Sequence, residues 1–107
     1  MKLHDVGEVI AVRKFCLADD PAREVVLKLG KPRPFPDTPE DQDSFCPFQI
    51  TGAGDERVRY AAGVDAFQAI QLTLKLIRVV LTRLNEDLGG KLTWTCDESG
   101  GFGFPES

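Results

Sequence analysis

The sequence predicts an α+β domain: an antiparallel sheet of about five strands in the order β-β-β-β-α-β, with one long helix packed on one face. Three observations carry that class. Between Gly63 and Gly90 apolar residues recur on a helical period for about six turns. Upstream, short runs alternate apolar and polar residues between turn signals, and one more such run follows the helix. The 107 residues suffice for a single domain, 1–107, that buries about two thirds of the surface its unfolded chain exposes.

Taken in order, Glu8 to Leu17 reads as a strand, with Val9-Ile10-Ala11-Val12 and Phe15-Cys16-Leu17 on either side of Arg13-Lys14. Asp19-Asp20-Pro21 is turn chemistry, and after it Val25, Leu27 and Leu29 alternate with Glu24, Val26 and Lys28, which makes a hairpin. From Lys31 to Ser44 the pattern breaks at Pro32, Pro34, Pro36 and Pro39, among the acids Asp37, Glu40, Asp41 and Asp43, and a loop is expected. Phe45 to Ile50 is a third strand; Pro47, which cannot donate to a ladder, is expected at an edge, a bulge or a strand start. Thr51-Gly52-Ala53-Gly54-Asp55 turns the chain into a fourth strand, where Arg57 and Arg59 alternate with Val58 and Tyr60.

The helix is the best specified element. Asp65 with Gln68 three residues on has the form of a capping box, and Gly89-Gly90 ends the run. Phe67, Ile70, Leu74, Ile77, Leu81, Leu84 and Leu88 form one apolar stripe, the expected core face. Polar residues from Gln68 to Glu86 occupy about a third of the circle, so further apolar residues, among them Leu72, Leu76 and Val79, lie outside the stripe. That second flank is expected to meet either the chain's own loops and tail or another subunit, with Leu76 leaning to core and Leu72 and Val79 to interface. After the glycines, Leu92, Trp94 and Cys96 alternate with Lys91, Thr93 and Thr95 as a fifth strand, and Phe102 and Phe104 are expected to pack onto the core. With Arg57, Arg59, Lys91, Thr93 and Thr95 on its outward side, the helix-free face of the sheet is expected to be largely solvated.

A net charge of −4 and a pI near 4.9 argue against a nucleic-acid surface, and Lys75 with Arg78 reads as a solvated helix face. The longest uncharged part of the helix, Ala66 to Leu74, is far too short to span a membrane, and the N-terminus has no apolar run of the signal-peptide kind, so a cytoplasmic chain is expected. Cys16, Cys46 and Cys96 show no CxxC and have only His4 as a histidine companion; no zinc site and no disulfide framework is expected, and all three are read as reduced and buried. The acidic loop lacks the spacing of a calcium loop, and Pro36-Asp37-Thr38-Pro39 is a bare PxxP. Gly52-Ala53-Gly54 precedes a strand rather than a helix, so it is a turn and not a phosphate cradle. With no recognisable catalytic set, no cofactor and no metal is expected and an enzyme is the less favoured class.

Cys46-Pro47-Phe48-Gln49-Ile50-x-Gly52-x-Gly54-Asp55, Ala62-Gly63-Val64-Asp65-Ala66-Phe67-Gln68-Ala69-Ile70-Gln71-Leu72 and the ending Gly103-Phe104-Pro105 together resemble a family of short uncharacterised bacterial proteins. That resemblance implies no activity and no site residue. The helix start is also similar to helices of small immunity proteins that neutralise bacterial toxins. The expectation is therefore a protein-interaction module, a homodimer or the partner of another protein. The alternative is a small enzyme or ligand-binding domain with a pocket between sheet and helix, where Cys16, Tyr60 and Arg57 are the polar groups to test.

Overall fold

The computed structural model describes residues 3–36, 43–94 and 102–104. The elements are β1 (Val9–Leu17), β2 (Asp20–Gly30), β3 (Arg33–Pro34), β4 (Ser44–Thr51), β5 (Arg59–Gly63), α1 (Ala66–Asp87) and β6 (Leu92–Thr93). All strand pairs are antiparallel. β1 lies between β2 and β6, and β2 lies between β1 and β4. At Phe48 the strand β4 meets Leu29 of β2 and Arg59 of β5, so those two occupy opposite edges of β4. β5 and β6 are consequently the two outer strands, and α1 carries the chain from one to the other across a single face of the sheet.

Each element follows from its own residues. Asp65, extended at φ −150°, accepts the Gln68 N–H at 2.8 Å, while the Gln68 side-chain oxygen accepts from Val64 N at 2.8 Å, one residue before the usual target of the box. At the far end Gly89 and Gly90 both take positive φ, with Gly90 N donating to Asn85 O at 2.8 Å and Gly89 N to Glu86 O at 3.2 Å. Those bonds make a Schellman motif, which only residues tolerant of the left-handed region can close.

The core lies between α1 and the sheet. Phe15, Leu17, Val25, Leu27, Phe48 and Ile50 supply it from the strands, and Ile77, Leu81 and Leu84 from the helix, with Phe102 and Phe104 packed against it as expected. Within the helix one expectation is corrected. Phe67 is 80% exposed, and the buried line is Ala69, Thr73, Ile77, Leu81 and Leu84, rotated from the stripe that hydropathy alone selects. The close approach of Gly63 accounts for the rotation: a Cβ there would stand 2.6 Å from Ala69 N and 2.8 Å from the Gln68 Cβ. The first turn is pressed against β5 through small residues, and Phe67 is carried to the outside.

Two further expectations are corrected. The proline segment contributes the short strand β3, where Arg33 and Pro34 pair with Phe45 and Ser44. Pro47 sits inside β4, buried, between the part that pairs with β3 and the part that pairs with β2, so its missing N–H falls where the ladder is interrupted. Nor is the helix-free face simply solvated. Phe45 and Pro47 are buried, and ring centroids of Phe35, Phe45 and Tyr60 lie 5.1–6.1 Å apart, with the Arg33 guanidinium 5.0 Å over Phe45. Val6 is buried too, its carbonyl so close over Gly30 that any side chain there would collide with it. Arg59, the cross-strand neighbour of the core residue Phe48, is largely buried, and so is Thr93; Thr95 lies outside the described residues.

Candidate functional site

The groove between β5 and the C-terminal half of α1 is lined by Asp55, Arg57, Arg59, Arg83 and Asp87. Its floor is prepared by the loop before β5. Gly52, at φ +90°, donates its N–H to the Glu56 carboxylate at 2.8 Å, and the Gln49 amide donates to Glu56 O at 2.7 Å. These bonds hold the loop so that Asp55 accepts the Arg57 N–H at 3.3 Å, and its Oδ2 pairs with Arg57 Nε at 3.2 Å and Arg59 Nη2 at 3.1 Å. The Arg57 backbone N–H, above all, holds the Asp55 carboxyl below its ordinary value; desolvation opposes it, and the charges of Arg59 and Arg57 add to the lowering.

Opposite stand Arg83 and Asp87, with Val79, Val80 and Leu84 as an apolar wall, and the groove encloses about 500 Å³. Arg59 is only 18% exposed, and its Nη1 is buried without a hydrogen-bond partner. Arg83 makes no ion pair among the described residues. Over the Val79 rim the surface continues into a second hollow that borders Lys75 and Arg78.

The flank residues sort by contact. Leu76 packs against the core, Leu72 is 39% exposed and Val79 is 65% exposed. β5 has β4 as its partner strand and pairs with no other strand among the described residues, and its Ala61 N–H donates to the Thr73 hydroxyl of α1.

A third hollow lies between sheet and helix under the tail. It holds about 110 Å³ and is lined by Ala11, Leu27, Leu29, Leu74, Ile77 and Phe104. Arg13, the charged group at its rim, stacks between Trp94 at 4.2 Å and Phe104 at 4.8 Å and donates to Gly103 O at 2.8 Å. Small-molecule sites run to about 300–1,000 Å³, so this is a packing gap closed by the tail.

Residues 11–106 match DUF6968, a domain of unknown function. The chain belongs to this family. It matches no curated protein and no solved structure.

The three polar groups that the sequence singles out are not brought together. Arg57 lines the groove, Tyr60 stacks with Phe35 and Phe45, and Cys16 lies in β1 opposite Thr93 of β6. Cys46 is free and fully buried, its Sγ donating to Gly30 O at 3.4 Å, and burial pushes its thiol above the ordinary value against the Thr73 hydrogen bond. Cys16 corrects the expectation of three reduced cysteines: it is disulfide-bonded. With Cys46 free, the remaining cysteine of the chain is Cys96, which lies outside the described residues.

The acidic run 37–42 lies outside the described residues, and among those described no group of three or more His, Cys, Asp and Glu gathers to hold a metal. Among the described residues no helix is long and apolar enough to cross a membrane. Arg59 and Arg83 are the functional candidates that pattern reading missed. One signal was present: Arg83 follows Leu72, Leu76 and Val79 at helical spacing, on the flank rather than in the polar arc.

Proposed function

We propose that this chain is a bacterial protein-interaction module that receives an extended, acidic segment of a partner protein along the outer edge of β5 and the Leu72–Val79 flank of α1. The observation that carries this reading is the exposure of Val79 and Leu72 on the helix flank beside a strand that pairs only with β4 among the described residues. An outer strand edge offers backbone donors and acceptors for a further strand, and exposed apolar residues beside it offer pockets for alternate side chains. Charge selects the occupant: Arg57, Arg59 and Arg83 border the same groove, so acidic side chains are attracted and a basic segment is repelled.

The alternative of a ligand pocket between sheet and helix has less behind it, given the small apolar gap that the tail closes. The disulfide at Cys16 bears on compartment as well, since such bonds persist outside reducing cytoplasm. We infer that the domain works in an oxidising setting rather than the cytoplasm expected from its N-terminus.

A phage library of random extended peptides, selected on the immobilised chain, tests the module. Peptides alternating apolar and acidic residues should be enriched, and Leu72→Lys and Val79→Lys should abolish their capture while circular dichroism stays native. Absence of enrichment sinks the reading. A wild-type dimer by light scattering that Leu72→Lys converts to a folded monomer would replace it with self-association, the homodimeric case.

A further inference from the structure

We propose that Arg57, Arg59 and Arg83 form a seat for one aliphatic carboxylate. The donors are available. A guanidinium carries five N–H groups, yet Arg57 and Arg59 both spend theirs on a single oxygen, Oδ2 of Asp55, and the Arg59 Nη1 is buried without a partner. Arg83 stands across the groove with no ion pair among the described residues.

The charge count sets the valence of the guest. Three guanidinium groups face two carboxylates, Asp55 and Asp87, leaving one positive charge in excess. A monoanion neutralises that excess, whereas a phosphate dianion would overshoot it and stand among two like charges. The wall of Val79, Val80 and Leu84 suits an alkyl chain behind the charged head. The seat thus takes a planar carboxylate with a few methylenes attached, either a free aliphatic acid or the glutamate side chain of a docked segment. Its identity as the anchor of a partner rests on the docking reading above; the seat itself does not.

Arginine Nε–Hε resonances of the full-length chain, followed by NMR during titration at neutral pH and low salt, test the seat directly. The probes are sodium butyrate, inorganic phosphate and glutamate blocked at both ends of its backbone. Butyrate should shift Arg57, Arg59 and Arg83 together and saturably, leaving Arg13 at the tail unmoved. The exposed Arg83→Gln, which keeps the fold, should weaken binding about tenfold. Tighter binding of blocked glutamate than butyrate identifies a partner's side chain as the source, and the reverse identifies a free acid. No saturable shift in the trio, equal shifts at Arg13, or tighter binding of phosphate than of butyrate would overturn the proposal. Peptide capture plays no part in this experiment, so loss of the docking reading and loss of the seat are read separately.

Discussion

The Thr73 hydroxyl donates to the Cys46 carbonyl oxygen at 2.9 Å and accepts the Ala61 N–H at 3.2 Å, so a single buried side chain ties α1 to β4 and β5 at once. A hydroxyl in an apolar helix face is stable only with such partners. Thr73→Val keeps the shape and deletes the bonds, leaving the Ala61 N–H against a methyl group. It should cost about 1–3 kcal/mol in urea unfolding, and Thr73→Ser should recover most of that. Equal stability of wild type and Thr73→Val would show that the bridge contributes nothing.

The cysteines should divide two to one. Alkylation of the denatured, unreduced chain should add one label, at Cys46, and three after reduction. In the folded chain Cys46 should label slowly, because burial raises its pKa and thins the thiolate that reacts. Three labels without reduction would rule out the Cys16 disulfide.

Asp65 caps the helix through its bond to Gln68 N and lines none of the hollows described above. Asp65→Ala should lower stability by about 1 kcal/mol and leave peptide capture and the butyrate response unchanged in the folded fraction. A loss of either response at unchanged stability would place Asp65 in the site.

Arg13 donates to the Phe102 and Gly103 carbonyls and so adds to the packing of Phe102 and Phe104 on the core. Gly103 takes φ +79°, and a side chain there would run into the Trp94 indole and the Arg13 guanidinium. Both Arg13→Gln and Gly103→Ala should therefore detach Phe104 and hydrate Trp94. Since Trp94 is the chain's single tryptophan, a red shift of emission reports the release. Unchanged emission in both variants would mean that the clasp does not form in solution.

Asp55 gives the groove a pH dependence of known sign. Its folded pKa is lowered, so its pairing stabilises the fold above the unfolded pKa, about 3.9 for aspartate, and that contribution is lost as pH falls through the lower folded value. Wild type should exceed Asp55→Asn in melting temperature at neutral pH, and the two should converge in acid. A constant difference across that range would contradict the pairing.

The limits of α1, the β1–β2 hairpin, the strand at β4 and the packing of Phe102 and Phe104 were legible in the sequence. Caps, turn residues and apolar periodicity act within one segment, so neighbours along the chain suffice to specify them. The facing of the helix's first turn was not legible, although the expected stripe does supply Ile77, Leu81 and Leu84 to the core. Phe67 has the hydropathy of a core residue, but Gly63 and Ala69 let α1 approach β5 so closely that the first turn is rotated and Phe67 ends exposed. Thr73 likewise gains its place from carbonyl and amide groups on two strands that its sequence neighbours do not announce. The Arg57–Arg59–Arg83 groove belongs to the same class. It depends on strand order and on the crossing of α1 between the outer strands, which bring together groups far apart in the chain. The sequence determined the elements and their ends because those are settled by local hydrogen bonding and periodic burial; the tertiary structure alone decided which faces met, because that is settled by packing between segments with no local signal for one another.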